Sequence, residues 1–128
     1  DYEFYNERVY VFSGLGRRDD ALKDLQSLIT LRPDAPNAYF QRALWALADG
    51  EFAAASTDFD RVIQSGEPYF LEDACFYMAV TLLNLGEKAN ALKHVQSLSS
   101  DYSHYARTPG KVRGMLSRED LLALASAA

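Results

Sequence analysis

Two stretches of the chain are near copies: Leu15 to Leu28 reads Leu-Gly-Arg-Arg-Asp-Asp-Ala-Leu-Lys-Asp-Leu-Gln-Ser-Leu, and Leu85 to Leu98 reads Leu-Gly-Glu-Lys-Ala-Asn-Ala-Leu-Lys-His-Val-Gln-Ser-Leu. A diverged third copy surrounds Gly50. This pattern predicts a helical repeat array, because each repeat is one supersecondary unit that cannot bury its apolar face alone, and neighbours must stack. Stacking leaves a long grooved surface suited to gripping another chain, so function is expected there rather than in a catalytic cleft.

Gly16 and Gly50 are 34 residues apart, and Gly50 and Gly86 are 36 apart. Each glycine stands between two apolar-periodic segments, where one helix must stop and the backbone must tolerate positive φ before the next begins. The unit is therefore a helical hairpin. In the first, helix A is expected from about Tyr2 to Ser13 and helix B from about Asp19 to Leu31, with Pro33 and Pro36 punctuating the exit. The second has helices from about Asn37 to Ala48 and Phe52 to Ser65, before Glu67-Pro68 breaks the chain; the third has helices from about Glu72 to Leu85 and Lys88 to Ser99.

The residues at fixed places in these hairpins resemble the tetratricopeptide family, whose period is about 34 residues. A bulky residue stands early in helix A (Tyr5, Tyr39 and, smaller, Cys75), and a small one follows at the close helix contact (Ala43, Ala79). After the turn glycine comes an alanine early in helix B (Ala21, Ala55, Ala91), and four residues on a large apolar side chain (Leu25, Phe59, Val95). Pro33 and, one place late, Pro68 stand near repeat ends. The resemblance covers about Tyr2 to Ser100 and implies an all-α, right-handed α-solenoid of three antiparallel helical hairpins, at about 2–35, 36–71 and 72–100. Residues 101–128 then form a connector and a C-terminal capping helix.

Where the family usually has leucine in helix A, this chain has Arg8 and Arg42, with Met78 in the third repeat. In a hairpin centred on Gly16, Arg8 and Asp24 are equally far from the turn, as are Arg42 and Asp58 about Gly50. In the third repeat both members change together, to Met78 and His94. Salt bridges Arg8 to Asp24 and Arg42 to Asp58 are expected, each worth about 0 to 1 kcal/mol if exposed.

After Ser100 the periodicity stops, and Asp101 to Leu116 reads as an irregular connector rich in Tyr, Pro and Gly. A last helix, Arg118 to Ser126, is well signalled: Ser117 caps it with Asp120 as reciprocal partner, and Leu116 and Leu121 form a hydrophobic staple. It either covers the apolar end of the last repeat or reaches back into the groove.

Composition narrows the function classes. The net charge of −5 opposes non-specific binding to nucleic acid or anionic membrane. No apolar run approaches the roughly 20 residues that span a bilayer. The lone Cys75 cannot form an internal disulfide and reads as a small buried hydrophobe. The chain opens at Asp1 without an initiator Met, so its start reads as a processed or trimmed end, and a cytoplasmic location is only slightly favoured.

No catalytic constellation stands out, and no cofactor or metal is expected. His94 and His104 are the only histidines and their spacing fits no zinc pattern; Cys75 and His94 lack an orienting group. Gly14-Leu15-Gly16-Arg17-Arg18 lacks the strand and remaining residues of a phosphate loop and reads as an inter-helix turn. Asp19/Asp20 and Glu72/Asp73 read as helix-start charges complementing the macrodipole. Arg107, Lys111, Arg113 and Arg118, with Tyr102 and Tyr105 nearby, could contact phosphate or RNA, though a salt-bridged connector is the simpler assignment.

In the family the concave surface is lined mainly by helix A. The equivalent positions are Asn6, Tyr10 and Ser13, then Phe40, Leu44 and Leu47, then Phe76, Val80 and Leu83. Relatives that bind acidic C-terminal tails of chaperones carry a Lys, Asn and Arg clamp there, and this chain lacks those basic residues. The resemblance thus implies a non-enzymatic protein-protein interaction module whose apolar groove takes an amphipathic helix or a hydrophobic peptide. A self-associating homodimer is the alternative, and a phosphate or nucleic-acid binder ranks below it.

Overall fold

A computed structural model of the chain describes residues 16–102, 106–108 and 114–127. Among them, apolar stripes broken by glycine and proline fold as six helices: α1 (Arg18–Leu31), α2 (Pro36–Ala48), α3 (Phe52–Ser65), α4 (Pro68–Asn84), α5 (Lys88–Gln96) and α6 (Arg118–Ser126). Consecutive helices pack on one another throughout, and α2 also touches α4 while α4 touches α6. The described residues are thus all-helical apart from one short ladder, and the turns at Gly50 and Gly86 fall where the repeat spacing put them. Helix A of the first repeat, with Arg8, Asn6, Tyr10 and Ser13, lies outside the described residues.

The two inter-helix turns at Gly50 and Gly86 are built alike. Glu51 N–H bonds the Ala46 carbonyl at 2.9 Å and Gly50 N–H bonds Leu47 at 3.0 Å; Glu87 bonds Leu82 at 2.9 Å and Gly86 bonds Leu83 at 3.2 Å. Both glycines take positive φ, +77° and +81°. This is the Schellman termination, which satisfies the orphan carbonyls of the ending helix and requires a left-handed residue that disfavours any Cβ.

Two helix starts differ from expectation. Pro36 and Pro68 do not break the chain but begin α2 and α4, so α4 starts four residues before Glu72. Proline suits the first helical position because its missing N–H would have no partner there and its φ is already helical. Glu72 and Asp73 accordingly do not sit in a first turn. Glu72 accepts hydrogen bonds from Ser99 N–H at 3.1 Å and Ser99 Oγ at 2.7 Å, and Asp73 accepts one from Tyr102 Oη at 2.7 Å. Asp19 and Asp20 do occupy the first turn of α1.

The main core runs through α2, α3, α4 and α5 around Ala43, Phe59, Phe76, Ala79 and Val95, and includes Leu121 and Ala125 of α6. Its small residues, Ala43, Ala55, Ala79 and Ala91, are fully buried where helices approach closely. Ala21, Leu25, Leu28 and Ala38 join α1 to α2 in a separate cluster. The connector is not wholly irregular: β1 (Ala106–Thr108) pairs antiparallel with β2 (Gly114–Leu116), Arg107 opposite Met115. Three-residue strands carry too little alternation to be legible in sequence. The expected box at α6 is present, Asp120 N–H bonding Ser117 Oγ at 3.2 Å and Ser117 N–H bonding Asp120 Oδ2 at 2.8 Å.

Candidate functional site

At 3.6 residues per turn, Phe40, Leu44 and Leu47 fall on one side of α2, while Arg42, Trp45 and Asp49 fall on the other. The first side meets α4 through rings. Phe70 and Tyr77, seven residues apart and so on one stripe of α4, both contact Phe40, at centroid distances of 5.4 Å and 6.1 Å. Phe59 of α3 supports the group, stacked within 9° of Tyr77 at 5.9 Å and edge-on to Phe40 at 6.0 Å. The series continues from Phe70 to Tyr69 (4.9 Å) and from Tyr77 through Phe76 (5.4 Å) to Tyr102 (5.6 Å). Most of these pairs are edge-on or tilted, arrangements that the ring quadrupole favours.

The strip is partly open to water. Phe40, Leu44, Phe70, Tyr77 and Tyr102 are half-buried, and Tyr69 is 82% exposed. The other expected groove residues are placed differently: Leu47, Phe76, Val80 and Leu83 all belong to the core, Phe76 and Val80 with no exposed surface. Of the six expected positions that are described, only Phe40 and Leu44 keep appreciable accessible surface; Asn6, Tyr10 and Ser13 lie outside the described residues. The physical cause lies in α4, where every residue from Ala74 to Asn84 except Tyr77 is buried. A helix apolar around its circumference is enclosed on all sides; here α3, α5, α6 and the Tyr102 ring do so.

Electrostatics on this face are acidic and sparse. The α4 helix has no Lys or Arg, and its only charged residues are Glu72 and Asp73. Burial pushes the Tyr77 phenol up; at Tyr102 burial, then the hydrogen bond to Asp73, push it much further. Both side chains are neutral donors at any physiological pH. Burial also raises the Cys75 thiol, a poor setting for a nucleophile. His94 places Nδ1 2.8 Å from the Asn90 carbonyl in its own helix. Among the described residues no three His, Cys, Asp or Glu side chains gather as a metal site, and no helix is long and apolar enough to cross a membrane. Of the basic connector group, Arg118 lies 3.5 Å from Glu119, while Lys111 and Arg113 fall outside the described residues.

Sequence reading missed Phe70 and Tyr77, and placed Tyr102 with the basic connector residues rather than in this strip. The seven-residue spacing of Phe70 and Tyr77 becomes visible only when the helix is begun at Pro68. Tyr102 lies in an aperiodic stretch, which carries no signal for its packing on Phe76. The chain matches no protein-family model, and no curated protein matches it significantly.

Proposed function

We propose that the chain is a non-enzymatic protein-interaction module of tetratricopeptide type, a right-handed stack of hairpins that holds the apolar side of an amphipathic helix or peptide against Phe40, Leu44, Phe70 and Tyr77. The observation that carries this is the half-exposed aromatic strip, built across two hairpins by rings already fixed through mutual contact. Rigid aromatic anchors lose little conformational entropy on binding, and covering them gains roughly 25 cal/mol per Å² before association costs. Among the described residues no paired acid and base or activated nucleophile competes for the functional role.

Backbone amide shift mapping with a leucine-rich amphipathic helical peptide tests it. Shifts should centre on Phe40, Leu44 and Tyr77 and vanish in Phe40→Asp and in the milder Leu44→Lys, with helicity retained. Shifts scattered over the surface, or unchanged in a folded Leu44→Lys, would reject it. Self-association is the second reading, favoured by exposed Leu31, Tyr69 and Leu71. Sedimentation at two concentrations separates the two, because only self-association raises the mass without added peptide.

A further inference from the structure

Phe76 is the repeat equivalent of Phe40, 36 residues on, as Gly86 is of Gly50. The two rings are covered differently. Phe70, carried by the 17-residue helix α4, packs on Phe40 and leaves it half-buried. Tyr102 packs on Phe76, its ring centroid 5.6 Å away and tilted by 39°, and Phe76 keeps no exposed surface. No helix carries Tyr102: α5 ends at Gln96, and a turn follows in which Tyr102 N–H donates to the Ser99 carbonyl at 3.0 Å. Buried Leu98 roots this segment, while Ser99, Ser100 and Asp101 are polar and exposed.

We infer that residues 99–102 are an autoinhibitory strap, which closes the third hairpin's part of the aromatic strip until a partner helix or peptide displaces Tyr102 from Phe76. The inference rests on the strip being the binding surface. The strap closes on α4 through Glu72, which accepts from Ser99 N–H and Oγ, and through Asp73, which accepts from Tyr102 Oη. The bonds to Glu72 lie on the exposed side, where water replaces them at small net cost, so the strap can open locally while Leu98 stays in the core. Opening uncovers Phe76 beside Tyr77, its ring neighbour at 5.4 Å, and lengthens the strip by one hairpin. An apolar side chain of the partner then restores the contact that the Tyr102 ring gives up, and water solvates the two carboxylates. Because the strap must open first, the apparent affinity falls in proportion to the fraction of open molecules.

The full chain is titrated with the same leucine-rich amphipathic helical peptide. Saturating peptide should shift the Ser99 and Tyr102 amides together with those of Phe40 and Tyr77. Glu72→Ala removes the acceptor of both Ser99 bonds at a helical position that alanine suits, and should tighten binding about fivefold with helicity retained. Tyr102→Ala should tighten it at least as much and extend the shifts to Phe76. If the peptide binds at Phe40 and Tyr77 while the Ser99 and Tyr102 amides stay unmoved, or if folded Glu72→Ala binds no tighter than the parent, the strap is overturned and the interaction surface stands. Absence of binding by all three proteins would overturn both.

Discussion

Arg42 holds Asp58 through two parallel hydrogen bonds, Nε to Oδ2 at 2.7 Å and Nη2 to Oδ1 at 2.9 Å, with Asp58 only 5% exposed. The pair was legible from two residues equidistant from Gly50, but its depth was not. An exposed bridge is worth little; this one is bidentate, half-covered and tied to α1 through Gln26. The hydrogen bond to Asp58 raises the Arg42 pKa further above its already high value. Asp58→Ala leaves a guanidinium partly buried without its counter-ion, and should destabilise by about 3 kcal/mol in denaturant titration. Arg42→Met with Asp58→Leu should cost far less than the two single changes together. The third repeat already places Met78, buried, where Arg42 stands. Full additivity of the single costs would contradict this account. Of the companion pair, Asp24 is buried in α1 and Arg8 lies outside the described residues.

The rings around Phe59 supply the next expectation. Phe59 is fully buried and touches both Phe40 and Tyr77. Phe59→Ala should cost about 3–5 kcal/mol, the usual range for deleting a buried phenylalanine, whereas half-buried Phe40→Ala should cost clearly less. A double-mutant cycle between Phe59 and Tyr77 should return about 0.5–1.5 kcal/mol of coupling. Coupling near zero would mean that the stacked pair contributes area alone.

Why the helices were readable and the surface was not follows from the same residues. Helix periodicity and turn chemistry are local, so Gly50, Gly86, Ser117 and the α3 limits Phe52 and Ser65 could be assigned from neighbours in the chain. The state of Phe76 is not local: whether it lines a groove or enters a core depends on Tyr102, 26 residues later, which packs over it and bonds Asp73. Pro68 misled for a different reason. Proline forbids a helix interior but favours a helix start, and only packing of Phe70 on Phe40 decides between a break and a beginning.

The Ser117 box should make α6 the acid-sensitive end of the molecule. Hydrogen bonds from the Ser117 backbone, then from its side chain, lower the Asp120 pKa below its usual value. A depressed carboxylate contributes stability that is complete above the unfolded value of 3.8 and is lost as pH falls through the folded value. Amide exchange in α6 should therefore quicken in acid before that of α4. Ser117→Ala should destabilise by about 1 kcal/mol and weaken this local pH response, while the larger contribution, from the Ser117 backbone N–H, remains. If α4 and α6 lose protection together in both proteins, the box has no local role.

Tyr102 gives the corresponding expectation in alkali. Its phenol is raised by burial and by donation to Asp73, so the folded chain keeps a proton that the unfolded chain releases near pH 10. Stability from this group is thus complete below about pH 10 and declines as pH rises beyond it, since there the unfolded state binds fewer protons. Tyr102→Phe keeps a ring over Phe76 but leaves the Asp73 carboxylate without this donor, and should cost about 1–3 kcal/mol near neutrality. The alkaline decline should also be shallower in the variant, leaving the smaller contribution of Tyr77, whose phenol burial raises as well. Denaturant midpoints of the two proteins measured at about pH 8 and about pH 11 decide it. Parallel declines would show that the Tyr102 hydroxyl is not the group that titrates with unfolding.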